Sequence, residues 1–211
     1  PITVGRDKSI KLIRDANAAN KTIGVVSQKD VSVEDPGFND LHQLGAVASI
    51  LKMLRMPDGN TTVIIQGRQR FRLEQLTATE PYLKARVTHS KDIKPRKSDK
   101  EFDALIGSMK DMAQQIIQMS PNIPSEAAIA LKNIDSPAFL VNFIASNLNT
   151  EVAEKQRLLE IENLKDRATE VLTLMSKEFQ MLELKNQIQS KVKVDLDKQQ
   201  REYFLHQQLK T

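Results

Sequence analysis

The residues that could perform catalysis are few in this sequence, and they stand apart. Ser49 and Lys52 match the S-x-x-K spacing of certain acyl-transfer enzymes, in which the two residues lie on one helical turn. The residues around them predict a strand, and the companion S-D-N and K-T-G motifs are missing. We therefore interpret this match as coincidental and expect no catalytic residue in the chain.

Metal and phosphate sites are not expected either. A metal site needs clustered His, Cys or carboxylate ligands, but His42, His89 and His206 are widely separated and cysteine is absent. No glycine is followed by a lysine at the spacing of a phosphate-binding loop. The sequence predicts no metal and no cofactor, which favours a protein that acts through its surface.

A methionine-rich segment is the first candidate for such a surface. Met53, Arg55 and Met56 lead into a predicted turn at 57–60, and methionine adapts well to varied apolar partners. A continuously apolar strand hides all its side chains only if both faces are covered. We favour such covering in a barrel, and keep as a hypothesis that Met53, Arg55 and Met56 are exposed and bind unfolded proteins.

The uneven distribution of charge along the chain suggests a second type of partner. Residues 1–100 contain 18 Lys and Arg against 11 Asp and Glu, whereas residues 101–211 contain 13 against 16. A basic face around Arg68, Arg70, Arg72 and Lys84 would bind nucleic acid, with an affinity that falls steeply with salt. A structural spacer that binds no partner is the third alternative.

Bulk composition sets the expected location. No apolar run is long enough to span a bilayer, and the first residues lack the pattern of a secretory signal. The absence of cysteine fits a reducing compartment, so we expect a cytoplasmic protein without membrane contact. Because the chain opens on Pro1 and stops within a helical pattern, we expect it to be a fragment.

The elements that position these residues fall into two groups, which predicts an α+β fold. Strands are predicted at 2–4, 22–27, 44–56, 61–66, 68–76 and 82–88, with one helix at 7–19. About six strands with one early helix can curl into a small, partly open barrel, which we place at 1–92. The polar segment 91–100 then predicts a domain boundary.

Helices follow this boundary. Ser98 and Glu101 form a capping box. Ser136 with Pro137 opens a further helix, whose expected inner residues are Phe139, Leu140, Phe143, Ile144 and Leu148. A last short helix starts near Thr150. We predict a small helical bundle over 98–162.

One very long helix is predicted from Leu164 to Leu209, because this stretch contains no Gly or Pro and its apolar residues recur at helical spacing. It would be about 70 Å long and would project. Leu164, Val171, Met175 and Leu182 form a heptad-like seam, which predicts self-association in a coiled coil. An ordinary helix lying on its own domain is the alternative. We therefore predict that this helix forms a third domain, at 163–211.

The sequence resembles the Lon family of ATP-dependent proteases along its whole length. The segment HQLGAVASILKMLRMPDGNTTVIIQGRQRFRLEQL has the family's G-x-x-A-x-I strand, P-D-G hairpin and G-x-x-R segment, and QREYFLHQQLK is similar to the helix before its ATPase module. The resemblance implies a PUA-like substrate-binding domain, a helical subdomain with a long helix, and hexamers that degrade misfolded and regulatory proteins. The family's ATP, Mg²⁺, Walker residues and Ser–Lys pair belong to modules that have no counterpart here. The resemblance therefore implies a non-catalytic region that recruits unfolded or damaged protein clients.

Overall fold

The computed structural model describes residues 1–209 and has strands before helices, which confirms the predicted α+β class. The strands are β1 (Ile2–Val4), β2 (Thr22–Val25), β3 (Leu44–Arg55), β4 (Thr61–Ala78) and β5 (Lys84–Ser90). The helices are α1 (Asp7–Ala18), α2 (Lys100–Met119), α3 (Glu126–Lys132), α4 (Pro137–Asn147), α5 (Val152–Glu160) and α6 (Leu164–Gln208). The chain divides into a sheet unit, Pro1–Ile93 with Val152–Glu162, and a helical unit, Lys94–Glu151 with the segment from Asn163 onward.

The sheet is antiparallel, and β4 is its central strand. The order is β1-β4-β3-β2, and β5 pairs with β4 as well. The prediction of a separate strand after Gly67 was wrong, because β4 continues through this residue. Ala48 lies opposite Gly67 and Val47 lies opposite Gln69, which leaves Arg68 as the extra residue of a β-bulge. A bulge bends a strand without ending it, so the sheet has five strands in the described part of the chain.

Two small cores stabilise the sheet unit. Ile13 of α1 packs against Val4, Ile50 and Val63, which come from three different strands. A second cluster contains Leu41, Phe71 and Leu73 and lies toward the other end of β4. Because α1 carries apolar residues at positions 10, 12, 13 and 16, one side of this helix covers the sheet.

Helix α5 belongs to a different unit from the one that the sequence predicted. The prediction grouped it with the helical bundle at 98–162, but it lies in the sheet unit. The buried Gln156 amide donates to the Leu44 carbonyl at 3.1 Å, and Arg70 donates to the Leu159 carbonyl at 3.0 Å. These polar contacts, between residues far apart in sequence, attach α5 to β3 and β4.

The first half of α6 forms the core of the helical unit. It packs mainly on α2, so the prediction that 163–211 is a separate domain differs from the structure as well. Asp99, and not the predicted Ser98, caps α2 by accepting the Phe102 N–H at 3.0 Å. Lys165 of α6 donates to the same carboxylate at 3.0 Å. One side chain thus joins the starts of α2 and α6.

The predicted inner residues of helix α4 are confirmed at Leu140, Ile144 and Leu148, which are buried, and the prediction was wrong for Phe139 and Phe143. Val141 is buried as well, whereas Phe139 and Phe143 are exposed and stack with ring centroids 6.0 Å apart. The helix is apolar nearly all round, so its periodicity does not distinguish the inner face from the outer one. The Ser136 cap is confirmed, since its hydroxyl accepts the Phe139 N–H.

Candidate functional site

The outer half of the β3–β4 hairpin carries exposed apolar side chains, which we call the hairpin patch: Leu51, Met53 and Met56. Their exposed fractions are 55%, 36% and 42%. The expectation that this run is covered on both faces was therefore wrong for these three residues. The expectation of covering on both faces is correct for Ile50, which is 3% exposed.

A second β-bulge decides which of these residues reach solvent. Ile50 lies opposite Ile65 but Lys52 lies opposite Ile64, so Leu51 is the extra residue and has no partner on β4. Beyond the bulge, Val63 of β4 lies between two directly opposed residues. Met53 is opposite it on β3, and Ile2 is opposite it on β1. Because directly opposed residues share a face, Ile2 and Met53 flank the buried Val63 and extend its apolar surface to solvent.

The sheet unit also contains an open groove of about 1590 Å³, which the sequence did not predict. It is bordered by α1, β2, β5 and the loop around residues 34–36. Its apolar lining includes Leu12, Val26, Val47, Phe71, Leu83 and Val87. These residues come from five separate segments, so only the folded chain brings them together.

Charged side chains cross the rim of this groove. Lys8 of α1 lies 2.8 Å from Glu80 and 3.5 Å from Asp35, and the Tyr82 hydroxyl donates to Asp15 at 3.0 Å. The bond to Glu80 raises the pKa of Lys8, and the bond to Asp15 raises the pKa of Tyr82. Since Lys8, Glu80 and Asp35 are well exposed, their ion pairs contribute little to stability. They position α1 relative to the β4–β5 turn.

Most of the predicted assembly seam is buried within its own chain and does not lie on the surface. Leu164, Val171 and Met175 are at most 2% exposed and pack within the helical unit, so they are not available to a second chain. Leu182 is half-buried. The exposed apolar stripe of α6 begins only beyond this core. It contains Met181, Leu184, Ile188, Val192 and Leu196, which are 51–64% exposed.

The predicted basic face is not a continuous free surface. Arg70 is 10% exposed and pairs with Asp92 at 2.7 Å. Arg68 donates to the Ser49 hydroxyl at 3.1 Å, and the Lys84 ammonium lies 5.6 Å from the Tyr82 ring centre. Within the described part of the chain, only Arg72 of the predicted group is exposed without such a contact. The four residues therefore serve mostly local contacts.

The coincidental S-x-x-K match lies on β3, as its surroundings predicted. Residues three apart on a strand are separated by about 10 Å, which excludes the one-turn arrangement of the acyl-transfer enzymes. Among residues 1–209, no three His, Asp or Glu side chains come close enough together to hold a metal ion. No helix within the same range has the length and apolar character that crossing a membrane requires.

Comparison with known proteins identifies the family. The sequence model of the ATP-dependent protease La (LON) substrate-binding domain matches residues 1–177. This chain is a Lon substrate-binding domain. The Lon protease of Flavobacterium johnsoniae is 57% identical over 211 residues, and that of Cytophaga hutchinsonii is 50% identical over 210. Both matches cover 100% of this chain and 26% of the relative, so the chain spans about a quarter of the length of these curated Lon proteases.

Two solved Lon structures share the fold. The N-terminal domain of the Mycobacterium avium complex Lon protease is 20% identical with a TM-score of 0.66, over 83% of this chain and 89% of that one. A Lon N-terminal domain protein from Xanthomonas campestris is 17% identical with a TM-score of 0.55, over 82% and 86%. The resemblance to the Lon family seen in the sequence is confirmed.

Proposed function

We propose that the hairpin patch of this Lon domain binds exposed apolar segments of unfolded or damaged proteins and holds them for an ATP-dependent protease module. The observation that supports this role is the exposure of Leu51, Met53 and Met56 in a region that matches the Lon substrate-binding family. ATP and Mg²⁺ act in the ATPase module in this proposal. The chain itself contributes binding and no catalytic group.

The chemistry of the patch suits varied clients. Unbranched methionine side chains change rotamer to fit different apolar partners, so Met53 and Met56 do not require one client sequence. Arg55 is exposed between them and keeps a charge beside the apolar surface. Each contact is weak, but several copies of the domain in one assembly raise the effective concentration of the patch around a single client.

The double replacement Met53→Ser and Met56→Ser tests this role. We expect unfolded-client affinity to fall at least about tenfold, since each partly exposed methionine contributes roughly 1 kcal/mol of apolar burial. Binding is measured by fluorescence anisotropy with a labelled, reduced and alkylated protein that cannot refold, at two salt concentrations. The same protein in its folded form is the reference ligand.

Ile129→Ser is the control for this experiment, because it removes an exposed apolar side chain from α3, in the other unit and outside the apolar stripe of α6. The control should bind the unfolded protein like the unmodified chain, and all variants should keep the same melting temperature. Equal affinity of the double variant and the control would disprove the role of the patch. Absence of any binding to the unfolded protein would leave the spacer alternative.

The exposed stripe of α6 supports a second proposal, that the domain self-associates through this helix in a hexameric protease. Its apolar residues advance in steps of four from Leu184, the spacing of the ridges with which one helix packs into the grooves of another. Ile188→Asp should lower the average mass in sedimentation velocity, whereas Gln189→Asp, on an exposed polar position, should not. If both variants sediment like the unmodified chain, the stripe is not an assembly surface.

A further inference from the structure

Strand β2 has an outer edge with no strand beside it in the described part of the chain. Its other edge pairs with β3, where Lys21 continues the register and its carbonyl accepts the Ile50 N–H at 2.7 Å. Directly opposed residues of an antiparallel pair alternate between bonded and non-bonded positions. Ile23 and Val25 therefore bond to β3, while the N–H and C=O of Gly24 point away from it. Gly24 is exposed, so its outward N–H and C=O are open to solvent, whereas the outward N–H of Thr22 donates to the Asn20 side chain at 3.1 Å.

The groove described above runs along this edge. Thr22, Ile23, Gly24 and Val26 line it on one side, and β5 lines it on the other. Phe71 forms part of its floor, with its ring so close beneath Gly24 that an added Cβ would lie 3.3 Å from Cζ. The volume of about 1590 Å³ exceeds the roughly 300–1,000 Å³ of small-molecule pockets. An extended polypeptide fits this shape better than a metabolite does.

The charged residues at the rim of the groove favour one type of residue in a bound client segment. Among residues 1–209, two of the lining carboxylates, Asp7 and Glu34, have no ion-pair partner, unlike Asp35, which lies near Lys8. Asp7 starts α1, and Arg6 beside it donates to the Val33 carbonyl next to Glu34, so the two carboxylates lie toward the same end of the groove. The four carboxylates of the lining exceed its three cations, Arg6, Lys8 and Lys84, by one, and this small excess of negative charge favours a positively charged residue in the client segment.

We infer that the groove binds an extended segment of a client protein as an additional strand on the outer edge of β2, with alternate apolar side chains in the groove and a lysine or arginine near Asp7 and Glu34. This binding mode rests on the proposed function, because it names the type of client segment that the domain recognises. Main-chain hydrogen bonds supply affinity in such strand addition, and the pockets for alternate side chains supply specificity. The hairpin patch, at a different edge of the sheet unit, binds less ordered apolar segments.

Peptides test the inference without changing the protein. The probe is a labelled peptide of alternating valine and threonine that ends in two lysines, and it is compared with peptides N-methylated at either the odd or the even amides. Strand addition uses only one of these two sets, so one methylated peptide should bind about tenfold more weakly and the other nearly normally. Replacing the two lysines by glutamates should weaken binding as well. Equal affinity of the two methylated peptides, or no binding of the parent peptide, would overturn the inference.

Gly24→Pro and Gly24→Ala form the matched pair on the protein. Both add a Cβ near Phe71, but only proline removes the N–H that faces the groove, and edge strands tolerate proline. The proline variant should bind the peptide about tenfold more weakly than the alanine variant, with unchanged circular dichroism for both. If the two variants bind equally while the methionine replacements still weaken client binding, the groove inference fails and the proposed function stands. If the unmodified chain binds no unfolded protein, the proposed function fails.

Discussion

Replacing Met175 by alanine should destabilise the helical unit, whereas the same replacement at Met181 should not. The two methionines lie on the same helix, but Met175 is 1% exposed and Met181 is 64% exposed. A buried methionine replaced by alanine costs about 2–5 kcal/mol through lost apolar contacts and the cavity left behind. At an exposed position the change stays within about 0.5 kcal/mol, because methionine and alanine have similar helix propensities.

Urea unfolding followed by far-ultraviolet circular dichroism measures this difference, because the signal comes mainly from the helices. The experiment is performed at two protein concentrations. A core residue destabilises the chain equally at both, whereas an assembly contact would make the loss depend on concentration. A loss at Met175 of less than about 1 kcal/mol, or one that changes with concentration, would refute the assignment of this residue to the core.

Two further predictions concern the ends of helices. The pKa of Asp99 is lowered, first by the Phe102 N–H and then by Lys165, from an ordinary value of 3.8. Its contribution to stability is therefore present above that value and lost as the pH falls through the lower folded pKa. Asp99→Asn keeps an oxygen for the cap but cannot titrate, so its urea midpoint should fall less in acid than that of the unmodified chain; parallel curves would contradict this. Lys21 follows α1 with φ of 57°, so Lys21→Gly should raise the free energy of unfolding by about 1 kcal/mol, and a lowered urea midpoint would contradict the strain.

Local patterns were sufficient to predict most of the elements. The gap-free run of helix formers predicted α6, the Pro57–Asn60 turn predicted the β3–β4 hairpin, and Ser136 before a proline predicted the start of α4. Each of these signals acts within a few residues, through backbone geometry or a single capping bond. The family resemblance likewise depends on short motifs, and the match over residues 1–177 confirms it.

Exposure was the property that local patterns predicted least well. The apolar run of β3 gave no sign that a bulge at Leu51 would separate the buried Ile50 from the exposed Met53. In the same way, Phe139 and Leu140 are equally apolar neighbours, yet only Leu140 is buried. A pattern shows that a face is apolar, whereas burial depends on which other element covers it.

Sequence by itself therefore determined the kinds of elements, the α+β order and the Lon family of this chain. Only the tertiary structure decided that the first heptad-like residues of α6 are buried in the helical unit, that α5 lies with the sheet, and that α1, β2 and β5 border an open groove. The physical reason is that periodicity defines one side of an element but not its partner. The partner is chosen by contacts such as Gln156 to Leu44, between residues that are distant along the chain and meet only after folding.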